Sequence, residues 1–394
     1  MDDIDALTPI VARYLEIEDV TAGDATRDYV ARYRGQLRGD SAEAYDRLAA
    51  EVQPHGLMVL FRRQGGQHVV FLVNGLPQPK PSNPWVNVAL FLLTVLSVLF
   101  AGALYAYDGP EPESLGALLL SVLGNLSSGI PFAVSMLAIL LAHEFGHYLV
   151  GRRHGTNVTL PYFIPFPISP FGTMGAFIQM KDVPKNRRTL LDIGLAGPLA
   201  GVVVAVPVLL YGLSISKLGT IDVPAGGGLT LEGNSLLYLL AKFIVFGQLL
   251  PAPASYNGAL PLIYWLRYFF TGQPLPLGGT DVMISPVAWA GWAGLLVTAL
   301  NLLPVGQLDG GHLIYVLVGK RAKILWPLVL GVLVLLGFFW SGWWLWAGLV
   351  FLFGRFHAEP LDQVTPLDPR RKALAVLGVI LFFLVFAPVP LATM

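Results

Sequence analysis

The sequence contains no cysteine. That absence removes disulfides, thiolate metal sites and a cysteine nucleophile together, so any bound metal must be held by His, Asp or Glu. Charge is scarce too: 13% of the 394 residues are Asp, Glu, Lys or Arg, against roughly a quarter in soluble globular chains. With 55% hydrophobic residues and a mean hydropathy of +0.63, the bulk of the chain is expected in lipid. The net charge is zero and no long basic run occurs, which leaves nucleic acid without an electrostatic footprint. The start, MDDIDALTPI, is acidic and has no apolar core segment, so it does not read as a signal peptide.

What charge there is concentrates before Pro84, a composition boundary. Residues 1–80 are therefore expected to form a small N-terminal cytosolic α/β module. In DSAEAYDRLAAEV, Asp40 and Glu43 have capping-box spacing, and Ala44, Leu48 and Val52 repeat at helical period. GLMVLFRR and HVVFLVNG are β-rich runs joined by QGGQ, a hairpin signal. LPQPKPSNP is a semi-stiff Pro-rich linker. Apolar runs then recur at 85–107, 130–150, 190–213, 286–303, 324–339, 343–353 and 373–388, about seven spans, the last few shorter than the ~20 residues a span requires. Residues 236–250 read as re-entrant or interfacial. The expected division is linker, first span and outer loop over 81–129, a membrane-embedded core over 130–319, and C-terminal spans over 320–394.

Lys and Arg set the orientation. Arg152/Arg153, Lys185/Arg187/Arg188, Lys320/Arg321/Lys323 and Arg370/Arg371/Lys372 form basic clusters, whereas DGPEPESLG has no basic residue. A cytosolic N-terminus with alternating spans puts all four clusters in the cytosol and leaves DGPEPESLG and 214–285 outside.

Within SMLAILLAHEFGHYLVGRRHG, two histidines and a glutamate interrupt an otherwise apolar helix. Ionisable groups at bilayer depth cost roughly 2.5–3.5 kcal/mol each when charged. A cation explains how that cost is met. His143 and His147 are four apart and share a helical face, and Glu144 flanks them as a base, the H-E-x-x-H zinc-hydrolase pattern. A hydrolytic zinc site needs a third ligand. The metzincin extension fails, because Val150 and Arg153 occupy its positions, and no glutamate occurs between Glu144 and Glu232. The acids near membrane depth are Asp192 and Asp309. Asp192 reads as an interfacial acid near basic residues and a helix N-terminus. Asp309 lies in NLLPVGQLDGGH, where Pro304, Gly306, Gly310 and Gly311 allow an irregular path of the kind tolerated at depth only beside a cavity. Asp309 is the expected ligand.

HEFGH followed by NLLPVGQLDGG resembles the site-2 protease family of intramembrane zinc metalloproteases, closest to its bacterial and chloroplast-type branch. FGTMGAFIQM and NRR..LDIGLAGPLAG between them are also similar to that family, and the likeness covers roughly residues 130–319. The commoner family form has Pro directly after Asn, whereas here Leu302 follows Asn301 and the proline is Pro304. The resemblance implies His143, His147 and Asp309 as zinc ligands, Glu144 as general base, and hydrolysis of a peptide bond within a transmembrane segment. It implies that FGTMGAFIQM, set among Pro161, Pro165, Pro167 and Pro170, is a membrane-dipping β-like hairpin whose edge pairs with unwound substrate, with Gly172, Gly175 and Phe177 contacting it; the alternative is a plain membrane-dipping loop. Asn301 either binds substrate or makes an interhelical polar contact.

His154 reads as an interfacial cytosolic histidine; His312 either supports the metal ligands or caps its helix. GLAGPLAG and AWAGWAG supply small-residue helix contacts, and FFWSGWWLW an interfacial belt. The expected fold is thus a multi-pass α-helical membrane protein, with transmembrane proteins as substrates, the bilayer as environment and Zn2+ as cofactor. A prokaryotic cell membrane is the expected location, a chloroplast membrane the alternative. An ion-coupled transporter would show two related halves, and no internal repeat is visible. A non-catalytic scaffold of the same family would have lost a ligand or the base, and neither is lost.

Overall fold

The computed structural model describes residues 2–24, 28–75, 82–109, 114–223, 229–256, 258–355 and 359–393. The chain begins with α1 (Asp2–Ala12), β1 (Leu15–Ala22), β2 (Ala31–Leu37), α2 (Ser41–Val52), β3 (Leu57–Gln64) and β4 (Gln67–Asn74). Asp40 caps α2 by accepting from Ala42 N and Glu43 N. Glu43 does not reciprocate as a capping box would; it pairs with Arg47 one turn on. Gly65 and Gly66, with φ of +57° and +87°, make the two-residue turn between β3 and β4. The sheet is antiparallel in the order β1-β2-β4-β3. Leu48 and Val52 of α2 and Leu7 and Val11 of α1 pack with Tyr33, Phe61 and Leu72, all essentially inaccessible.

The sequence reading anticipated α2 and the β3–β4 hairpin, but not α1, β1 or β2. The reasons are local. A register shift between Ile17 and Asp19 breaks the alternation of β1, and β2 buries Ala31 and Gly35 beside Tyr33, a weak apolar signal. The Pro-rich linker falls mainly on 76–81 and the tip of the acidic loop on 110–113, both outside the described residues.

The remainder comprises α3 (Pro84–Tyr105), α4 (Leu115–Gly124), α5 (Ile130–Arg153), β5 (Tyr162–Pro165), β6 (Thr173–Phe177), α6 (Arg187–Ser214), β7 (Lys217–Thr220), β8 (Thr230–Glu232), α7 (Leu236–Phe246), α8 (Pro261–Thr271), β9 (Thr280–Met283), α9 (Pro286–Asn301), α10 (Asp309–Val318), α11 (Leu325–Leu336), α12 (Gly342–Phe353), α13 (Pro369–Val385) and β10 (Leu391–Thr393). Among the described residues, three helical stretches are long and apolar enough to cross a membrane: Pro84–Tyr105, Leu126–Arg153 and Arg187–Ser214. The later apolar runs correspond to the shorter helices α9, α11, α12 and α13. The run 236–250 becomes α7, an 11-residue helix whose Lys242 is fully buried against Asp281.

Three features position the site. First, α5 packs against α6, and α6 against α9, at small residues: a Cβ on Gly291 would lie 2.7 Å from Leu209 Cα. Second, β5 and β6 pair antiparallel, Tyr162 opposite Phe177 and Phe163 opposite Ala176, and the pair lies along α3. Asn87 Nδ2 donates to Leu160 O and Pro161 O, and Ser97 Oγ donates to Gly172 O. Third, α9 ends at Asn301 and a short turn leads straight into α10. A Cβ on Gly310 would meet Leu302 O at 1.9 Å and one on Gly311 would meet Gly306 O at 2.4 Å. The paired glycines after Asp309 let α10 fold back over that turn.

Candidate metal centre

α5 begins with Pro131 in its first turn and is closed by Gly155 at φ +70°. Its middle carries His143, Glu144 and His147, with 3%, 4% and 6% of their surface exposed. The rings lie against α6, where the chain is bare of side chains. A Cβ on Gly197 would overlap His147 Nε2 at 2.0 Å, and one on Gly201 would approach His143 Nδ1 at 3.1 Å. The glycines of GLAGPLAG therefore make room for the histidines as well as for the helix crossing. His147 Nδ1 donates to Ile193 O at 2.7 Å, which fixes the tautomer and turns the Nε2 lone pair inward.

The turn before α10 brings Asp309 to the same point. His143 Nε2 and His147 Nε2 are 3.3 Å apart, and Asp309 Oδ2 lies 3.5 Å from the first and 3.3 Å from the second. Each residue thus offers one donor atom to a common centre. Tetrahedral ligands at zinc distances of roughly 2.0–2.1 Å stand about 3.3–3.4 Å apart. The three edges match that figure without rearrangement. A carboxylate oxygen and an imidazole lone pair, 3.3 Å apart in a buried site, also require positive charge between them. The donor set fits a zinc ion.

The cavity in front of these atoms has a volume of about 910 Å³. It is lined by residues of α5 and α6, by residues 176–184, and by Asn301, Gln307–Asp309 and His312. Glu359 also lines it. Burial pushes the Glu359 carboxyl up, but hydrogen bonds from Gln363 and Lys323 outweigh it and hold the group below its ordinary value.

The other singled-out residues divide. The Asn301 amide nitrogen is 3.3 Å from His143 Nε2, so Asn301 touches the centre directly. Phe177 is half-exposed and lines the cavity, while Gly175, at φ +101°, has open space where a side chain would be. Gly172 faces away from the cleft: a Cβ there would meet Ser97 O at 2.6 Å on α3. Asp192 is engaged elsewhere, accepting from Arg371 Nε and Nη2 and lying 3.0 Å from His154 Nε2. His312 is buried in the cavity wall, one turn after Asp309. The sequence reading missed Ile193 and did not connect Gly197 with the histidines. The i, i+3 and i, i+7 spacing of Gly194, Gly197 and Gly201 was the available signal, since it puts them on one face.

Three helices long and apolar enough to cross a membrane, one of them carrying H-E-x-x-H, and an aspartate at the start of α10 brought to the two histidines make up a candidate metal site of the H-E-x-x-H class in a chain rich in membrane-length helices. The chain belongs to peptidase family M50, whose family model matches residues 131–339. This is the site-2 protease family of zinc metalloproteases. Similar proteins include the probable chloroplastic zinc metalloprotease EGY1 of Arabidopsis thaliana, 30% identical over 83% of this chain and 58% of that protein. Another is the probable chloroplastic zinc metalloprotease EGY2 of Oryza sativa subsp. indica, 27% identical over 91% of this chain and 61% of that protein. The chain thus spans about three-fifths of the length of these relatives.

Proposed function

We propose that this chain is a zinc metalloendopeptidase that hydrolyses a peptide bond within or near the transmembrane segment of membrane-protein substrates. The supporting observation is the trio His143, His147 and Asp309, at 3.3–3.5 Å from one another beside buried Glu144. Zinc held by that trio would supply Lewis acidity at the scissile carbonyl. Glu144, one residue from a ligand and part of the cleft wall, takes the proton of the attacking water and returns it to the leaving amine. Asn301 orients substrate from beside His143. A helical substrate hides its peptide bonds and must unwind, and the cleft-side edge of β6, with Phe177 and Gly175, offers main-chain pairing to the unwound strand.

In this reading α3, α5, α6, α9, α11, α12 and α13 supply about seven spans, and the β5–β6 pair dips into the membrane. The N-terminal module and the basic loops are cytosolic. The membrane is a prokaryotic cell membrane, with the chloroplast membrane as alternative. The deciding experiment measures zinc content and cleavage of a single-pass membrane substrate in detergent, with Glu144→Gln as control. Stoichiometric zinc with no cleavage by the native sequence would return the chain to the scaffold reading.

A further inference from the structure

The outer edge of β3 is covered by a distant part of the chain. Residues 361–363, in the connection between α12 and α13, run parallel to it: Phe61 N donates to Leu361 O and Gln363 N to Phe61 O, both at 3.0 Å. The opposite edge of this strap pairs with the segment that enters α6. Leu361 N donates to Pro184 O at 3.0 Å and Asp362 N to Lys185 O at 2.8 Å. One strand is therefore shared between the N-terminal sheet and the cleft rim, because Val183, Pro184 and Glu359 all line the cavity that holds the metal ligands.

Side chains tie the same three layers. Arg62 Nη1 donates to Pro360 O at 3.2 Å and Leu361 O at 2.6 Å. The hydroxyls of Ser41 and Thr365 are 2.9 Å apart, Lys185 pairs with Asp46 of α2, and Arg188 Nε donates to Pro366 O at 2.9 Å. Asp362 is fully buried in the strap and accepts from Val364 N and Thr365 N. Such a strand cannot leave the sheet without orphaning buried backbone groups on both sides.

We propose that the N-terminal module is the positioning element of the cleft: by holding strap 359–366 it holds rim 183–186, and so fixes the gap that an unwound substrate segment must enter. The proposal rests on the peptidase reading for its consequence, though not for its geometry. Arg62 is a positioning residue, since it touches strap carbonyls and no reacting atom.

The test uses the full chain in detergent with a single-pass membrane substrate, a short unstructured peptide and zinc analysis. Arg62→Ala is expected to lower kcat/KM for the membrane substrate by about ten-fold or more while zinc stays bound, because small misplacements of a substrate-holding wall are costly. The short peptide, which needs no holding by the rim, should lose much less, and Arg62→Lys should recover part of the rate. A merely structural role would lower both substrates alike. The chain has no native cysteine, so Ser41→Cys with Thr365→Cys can tie module to strap. Oxidation of that pair in the Arg62→Ala background should restore cleavage, and reduction should remove it again.

Two further measurements keep the inference open to refutation. If Arg62→Ala does not fold, charge reversal at the more exposed Asp46–Lys185 pair replaces it: Asp46→Lys lowers kcat/KM and adding Lys185→Asp restores it. Maleimide labelling of Val183→Cys should be faster when Arg62 is Ala, independently of any cleavage. Altered labelling in a chain that never cleaves would sink the peptidase reading and leave the module's role standing. Equal labelling and equal kcat/KM with and without the Arg62 side chain would overturn the positioning role.

Discussion

Gly197→Ala should destroy the metal centre, although helix propensity alone favours alanine by about 1 kcal/mol. Gly197 lies within α6, and an added Cβ would stand 2.0 Å from His147 Nε2, 2.3 Å from Cδ2 and 2.6 Å from Cε1. Non-bonded heavy atoms rest at about 3.5–4.0 Å, so the ring would have to withdraw by roughly 1.5 Å. Ligand distances tolerate only about 0.2 Å. Withdrawal would also strain the bond from Nδ1 to Ile193 O, and disturbing such a supporting bond alone costs about 10–100-fold in metal affinity. Displacing the donor itself should cost at least 100-fold by that measure.

The neighbouring glycines give a graded comparison. Gly201→Ala meets His143 Nδ1 at 3.1 Å and should weaken zinc partially, whereas Gly348→Ala in α12 has nothing within 4 Å and should leave zinc unchanged. Competition with a chromophoric zinc chelator, alongside melting temperatures, reads the whole series. Zinc affinity in Gly197→Ala equal to that of Gly348→Ala would refute the argument that α6 makes room for the ligand rings.

Three other outcomes are expected. Glu144→Gln should abolish cleavage with zinc retained, since it removes the base and no ligand; turnover near the native rate would undo the hydrolase assignment. Asp309→Ala should lose zinc and cleavage together, while Asp192→Ala, which removes the contacts to Arg371 and His154, should cost about 1 kcal/mol of stability and leave zinc in place; the reverse pattern in metal analysis would exchange their roles. A cysteine at Ser114, the cap of α4, should react with impermeant reagent only from the outer side, and labelling from the cytosolic side alone would invert the topology.

The residues of the candidate metal centre are legible because each leaves a short-range mark. Two histidines four apart with a glutamate between them need only helical periodicity to share a face, and Asp309 stood out because proline and glycines broke the backbone around it. The strap is the opposite case. Nothing in EPLDQVTPL announces a strand: it holds two prolines, lacks alternation, and is some 300 residues from the edge it covers. Its extended form is imposed by neighbours that donate to it and accept from it on both sides, a tertiary effect that local propensity does not carry. The tight fit of α6 to the histidines is intermediate. The spacing of Gly194, Gly197 and Gly201 fixes a bare face, but what that face meets depends on the register of α5 against α6. Local chemistry thus marks which residues can hold a metal. The depth and width of the cleft around them are set by long-range contacts, and variants at Gly197 and Arg62 probe that second layer where Glu144→Gln probes only the first.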